Sequence, residues 1–263
     1  MFLNDEITCT NWVTRPRQRR LCRRQVLTPA CYLGSLPGVK PFEDHGPIDD
    51  HARRHTVIIS GSFRPDYSYQ ENIWAEKLSQ QGHRVTVVTA GKANRGPIAN
   101  GNYDVLWLKT MGVHGRNLYF EWRVGGAVAG LRPDRILWFG PPQLFGRSCL
   151  SHPDLADIPM AVFMGQNSQM HPFDWRSSGL TVRERATALT YRLIRARTVV
   201  RACRRANIIV ASTPETKGIL NMFFPVGDKD ALNNKMLTCP LGFDGETFFF
   251  DELWDALFRV SRS

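Results

Sequence analysis

The stretch that decides the fold runs from His55 to Thr89 and reads HTVIISGSFRPDYSYQENIWAEKLSQQGHRVTVVT. It opens with a short β-branched apolar run closed by Gly61, the pattern of a strand buried on both faces. A loop, SFRPDY, follows. In YQENIWAEKLSQQG, Ile73, Trp74 and Leu78 fall on one face of a helix, and Gly82 stands where a helix C-terminus favours a left-handed residue. HRVTVVTAG is a second buried strand. Two neighbouring strands joined through a helix form a parallel crossover unit.

Working outward, the alternation continues. YDVLWLKT, RPDRILWFGPP, IPMAVFMGQN, NIIVAST and KMLTCPLGFD predict a third to a seventh strand. LYFEWRVGGAVAGL reads as a helix that Gly125 and Gly126 weaken. TVRERATALTYRLIRARTVVRACRRA reads as one long helix. In it Val182, Ala186, Leu189, Leu193, Ala196, Val200 and Cys203 recur at alternating spacings of four and three, which predicts one packed apolar face with the arginines largely elsewhere. Thr213 has the character of an N-cap, with Pro214 at the first helical position. The predicted fold class is α/β, a Rossmann-like doubly wound parallel sheet. Ligands of such sheets bind beyond the carboxyl ends of the strands. The informative segments are therefore SGSFRPDYSY, FGPPQ, MGQNSQMHPFDW and ASTPE.

Residues 1–54 lack periodicity and carry Pro16, Pro29, Pro37, Pro41 and Pro47. Two readings stand: a loosely attached basic extension, or a start codon assigned upstream of the true one. The 263 residues carry a formal net charge of +10, with arginine concentrated at Arg15–Arg24 and Arg183–Arg205. That balance fits anionic partners. No recognition module accompanies it, so nucleic acid is not expected, and an anionic lipid surface is an open alternative to a merely solvated basic helix. No apolar run approaches the roughly 20 residues of a spanning helix. The six cysteines form no C-x-x-C pair, so neither a disulfide framework nor a zinc site is expected, and a reducing, cytoplasmic setting is the simpler reading.

The first loop, Gly61-Ser62-Phe63-Arg64-Pro65, either holds a ligand through its backbone amides and the following helix N-terminus, or is an ordinary turn. It has no G-x-G-x-x-G and no G-K-[ST], so neither a dinucleotide nor a P-loop site is expected. Past the fifth strand, Gln166 and Asn167 could hydrogen-bond hydroxyls, while His171 and Asp174 are candidate catalytic groups. A loop histidine serves equally well as a solvated side chain. Thr213 joins the candidate binding set. Trp138 in WFGPP reads as a strand end, with sugar stacking as the alternative. The histidines form no ligand set on one element, so no metal site and no cofactor are expected.

Three segments together resemble family 4 glycosyltransferases, a retaining group with the GT-B fold. HTVIISGSFRPDYSYQENIWAEKLSQQGHRVTVVT is similar to the family's opening, with Gly82-His83 at the helix end. RRANIIVASTPETKGIL resembles its A-D-x-I-x-x-x-S segment, and PLGFDGETFFFDE resembles P-N-G-V-D-x-x-x-F, with Gly242, Phe243 and Asp244 in the Gly-Val-Asp places. The resemblance implies that residues 55–252 form the N-terminal, acceptor-side Rossmann-like domain. Residues 253–263 would begin an interdomain or C-terminal segment whose donor domain is not in this sequence. It implies a sugar or glycan acceptor, with a nucleotide-sugar donor engaged only if that domain is supplied, and a chain inactive by itself. A non-catalytic binding module, or a truncated non-functional fragment, is the alternative. The chain departs from the family near Asp66–Tyr69, where a glycine pair is replaced.

Overall fold

The computed structural model describes residues 54–65, 70–113, 118–165 and 179–238. Among these, eight strands form one sheet: β1 (His55–Ser60), β2 (Arg84–Gly91), β3 (Arg95–Asn100), β4 (Tyr103–Lys109), β7 (Arg135–Phe139), β8 (Met160–Met164), β9 (Ile208–Ala211) and β10 (Met236–Thr238). Its order is β10-β9-β8-β7-β1-β2-β4-β3, and every pairing is parallel except β3 with β4. A separate antiparallel ribbon pairs β5 (Met111–Val113) with β6 (Leu118–Phe120). The seven predicted strands are all present.

The strand order reverses beside β1. The chain steps from β1 to β2 and β4 on one side, then returns to lay β7, β8, β9 and β10 on the other. The sheet's two faces carry separate cores. Val57 and Ile59 point into one, with α2 (Val124–Gly130), α4 (Ala196–Arg205) and α5 (Pro214–Phe223) supplying Val128, Val199 and Leu220. Ile58 points into the other, against Trp74, Ala75 and Leu78 of α1 (Gln70–Gln80). The connection from β1 to β2 through α1 and the one from β4 back to β7 through α2 run in opposite directions across the sheet, so right-handed crossovers put the two helices on opposite faces, where they lie.

Helix α1 ends as its sequence predicts. Gly82 adopts φ +85°. Its N–H donates to the Ser79 carbonyl at 3.0 Å, and the His83 N–H donates to that of Leu78 at 3.1 Å. These are the paired bonds of a Schellman stop. The buried face differs from expectation: Asn72 is buried and Ile73 is only half-buried. Asn72 Nδ2 donates to the carbonyls of Arg64 and Pro65, at 3.1 and 3.0 Å, and so clamps the first loop onto the helix.

Three further expectations are corrected. Leu118–Phe120 is a strand, and the helix expected from Leu118 onward covers only Val124–Gly130. Glu121 explains the delayed start: its carboxylate accepts from the Val124 N–H at 2.9 Å and from the Ser148 N–H and hydroxyl. The edge strand β3 was not expected. Five of its six residues are exposed, so no apolar pattern marks it, and Pro97 sits at its register shift, where an edge strand tolerates proline.

The long helix is interrupted. It comprises α3 (Val182–Thr190), a π turn at Tyr191–Arg195, and α4. The predicted single face holds only after that turn: Ala196, Val200 and Cys203 are buried, while Val182, Ala186, Leu189 and Leu193 are exposed. A π turn takes up an extra residue, which moves the packed side by one position. Ala188, Tyr191 and Arg195 therefore face inward instead.

Candidate functional site

The reversal of strand order puts a crevice at the carboxyl ends of β1 and β7, where doubly wound sheets bind ligands. From β1 comes Gly61-Ser62; from β7 comes the turn Gly140-Pro141-Pro142-Gln143. Gly140 is left-handed at φ +67°, and the Gln143 N–H donates back to its carbonyl at 2.9 Å. That closes a tight turn and aims Gln143 at the first loop. Ser62 Oγ accepts from Gln143 Nε2 at 3.0 Å and lies 3.3 Å from Gln143 Oε1, to which it donates.

Gly61 is required here by space. It does not have a left-handed backbone, so it does not merely turn the chain. A Cβ at Gly61 would lie 2.6 Å from Gln143 Oε1 and 2.8 Å from two ring carbons of Tyr119. Tyr119, from the ribbon strand β6, thus walls the loop. Its ring meets Phe145 edge-on, centroids 6.1 Å apart. Burial pushes the Tyr119 phenol above its usual range, and the neighbouring Arg64 guanidinium partly offsets this. Arg64 itself is exposed.

The floor is polar as well. Ser60 is buried, and its hydroxyl donates to Glu71 Oε1 at 2.8 Å, so a carboxylate occupies the first turn of α1. The chemistry on offer is hydrogen bonding of both senses. The Gln143 amide keeps one N–H and carbonyl lone pairs beyond its contact with Ser62, a set suited to hydroxyl groups.

The structure brings three of the expected residues together: Gly61, Ser62 and Arg64. Thr213 stands apart, at the end of β9. Two strands, β8 and β7, lie between β9 and β1, and three strand spacings amount to roughly 14 Å. Its hydroxyl accepts from the Thr216 N–H at 3.1 Å, so it caps α5 as predicted. Gln166, Asn167, His171 and Asp174 lie outside the described residues. Trp138 cannot stack on a sugar: it is fully buried, and its indole N–H donates to the Phe145 carbonyl at 2.8 Å. Gln143, Tyr119 and Glu71 were not singled out from sequence. Gln143 does end the FGPPQ segment that the strand pattern places at a carboxyl end, which was the available signal. Among the described residues, no three His, Cys, Asp or Glu side chains gather as a metal set.

No protein-family model matches the chain. No curated protein matches it either. Solved structures do resemble it. MurG from Acinetobacter baumannii is 13% identical, with a TM-score of 0.38 over 71% of this chain and 45% of that one. UDP-GlcNAc 2-epimerase from Neisseria meningitidis, solved with UDP-GlcNAc, is 12% identical, with a TM-score of 0.39 over 79% and 51%. UGT89C1 from Arabidopsis thaliana, solved with quercetin, is 13% identical, with a TM-score of 0.37 over 71% and 50%. The chain thus matches about half the length of each of these proteins. At these scores the likeness adds nothing to the architecture read directly from the sheet.

Proposed function

We propose that this chain is the acceptor-binding half of a retaining, family 4-like glycosyltransferase of GT-B architecture, with residues 55–252 as its N-terminal domain. The observation that carries the reading is the Ser62–Gln143 pair at the switch point, on a loop whose sequence resembles that family's opening. In this reading a second domain faces the crevice and holds a nucleotide sugar. The sugar passes to an acceptor hydroxyl held on this side. Gln166 and Asn167 would contact the sugar or the acceptor, with His171 and Asp174 acting at the reacting hydroxyl.

The electrostatics support a neutral ligand on this loop. A helix N-terminus attracts anions, but the Glu71 carboxylate already occupies the first turn of α1. A phosphate charge about 4 Å from it would be repelled by on the order of 4 kcal/mol at the effective dielectric of a protein surface. A hydroxyl has no such penalty and can donate to the carboxylate. In this reading the donor diphosphate lies mainly on the facing domain and Gly61-Ser62 at the acceptor, with the exposed Arg64 of the same loop on the diphosphate side.

Saturation-transfer NMR on the purified full chain with methyl glucoside and methyl mannoside tests this. The expected result is transfer to at least one glycoside, lost in Gln143→Ala and in Ser62→Ala while the thermal melt is unchanged. Transfer that survives both substitutions, or transfer to neither sugar, refutes the placement of the acceptor here.

A further inference from the structure

The outward side of the interrupted helix carries a pattern that sugar transfer does not use. Val182, Ala186, Leu189 and Leu193 follow one another at spacings of four, three and four, so they form one line down α3 and its π turn. They lie opposite the packed residues Ala188, Tyr191 and Arg195. Val182 is 87% exposed, Leu193 53% and Leu189 42%. The line continues along α4 as Arg197, Arg201 and Arg204, all exposed. Arg183, Arg185 and Arg192, also exposed, flank its apolar half. One surface strip therefore begins apolar with basic flanks and ends basic.

Its direction is fixed by the fold. Helix α4 delivers the chain to β9, so it runs against the strands, and it packs with the π turn on Pro141–Gln143. The apolar half consequently lies at the crevice end of the domain. Acidic groups on the strip are few and engaged. Glu184 accepts from the Thr181 N–H and hydroxyl in a capping box, and Asp228 pairs with Arg204.

We propose that this strip docks the domain on an anionic lipid bilayer, with the leucines entering the headgroup boundary and the arginines meeting lipid phosphates. An apolar line flanked and continued by exposed arginines is the charge and hydropathy pattern of an interfacial helix. The charge selects the occupant. A second copy would set two arginine rows against each other, and nucleic acid offers nothing to the leucines. No helix among the described residues is long and apolar enough to cross a membrane, so the contact is with the surface. The inference does not rest on sugar transfer.

Co-sedimentation of the full chain with vesicles tests it, using phosphatidylcholine alone against phosphatidylcholine mixed with phosphatidylglycerol. Binding is expected only to the mixed vesicles and is lost at high salt. Arg197→Gln with Arg201→Gln lowers partitioning roughly fivefold per charge. Leu189→Ser with Leu193→Ser lowers it roughly tenfold for the pair, and both variants melt like the parent. Several results overturn the proposal. One is no preference for the anionic vesicles; another is binding that ignores both variants. A lipid-free loss of stability in the leucine variant would mean that another part of the chain covers the strip. A dimer that the leucine variant dissociates would assign it to a second copy. Duplex DNA bound as tightly as the vesicles, with no effect of the leucine pair, would assign the arginines to nucleic acid.

Discussion

Replacing Gly61 by alanine tests the site at its tightest point. The new methyl would stand 2.6 Å from Gln143 Oε1 and 2.8 Å from the Tyr119 ring, where ordinary contact begins at 3.4 Å. Each neighbour must retreat by roughly 0.6 to 0.8 Å, and overpacking of this size costs about 1 to 3 kcal/mol. The low end applies, because Gln143 is flexible and Tyr119 sits on a two-stranded ribbon outside the main sheet. About 1 kcal/mol lowers the melting temperature by about 2–4 °C in a domain of this size. Ligand binding suffers more, since displacing Gln143 breaks its bonds to Ser62. Calorimetric melting, with glycoside saturation transfer alongside, measures both effects. Tyr119→Ala removes the wall, so Gly61→Ala should cost less in that background than in the parent. Additive losses across this double-mutant cycle would refute the clash, as would parental melting and binding in the single variant.

Gly82→Ala is the complementary case. Its Cβ would meet nothing within 4 Å, but φ is +85°, so the cost is conformational, about 1 kcal/mol, seen in melting with glycoside binding unchanged. Thr213→Ala removes the cap of α5 and should cost about 1 kcal/mol in urea unfolding, with Thr213→Asn retaining most of it. His55 sets a pH dependence. Its ring nitrogens bond the Leu131 carbonyl and the Thr86 hydroxyl, and burial, then Arg84, holds its pKa below 6.5 in the fold. The unfolded chain thus binds the proton more readily. The His55 contribution is complete above pH 6.5 and declines as pH falls through 6.5 toward the folded value. Urea midpoints should fall across that window in the parent and fall less in His55→Gln; equal slopes would exclude His55 as the source.

The residues that were legible in the sequence are those whose burial leaves a local trace. The apolar runs of β1, β2, β7, β8 and β9 are buried throughout or nearly so, and Gly82 and Thr213 mark their helix ends by chemistry that needs no tertiary context. The exposed β3 leaves no such trace. Neither does the π turn, because the spacing of four and three runs unbroken from Val182 to Cys203 while the packed side shifts beneath it. At the site, Gly61, Ser62 and Arg64 could be placed by strand counting. Strand counting placed Gln143 in FGPPQ without singling it out, and it did not place Tyr119, since each matters through a long-range approach to Gly61 that only the folded chain reveals.

The π turn also has a consequence for how this surface can change. Deleting one residue between 191 and 195 would restore regular helix and move every upstream side chain one position along, about 100° around the axis. Arg185 and Arg192 would then take the outward places held now by Ala186 and Leu193, and the leucines would swing toward the flank. The exchange alters no residue of the sheet and none of the crevice. Loss of a single codon is enough to put two arginines where an alanine and a leucine now face outward, so related chains could differ in this surface while keeping the same strand order.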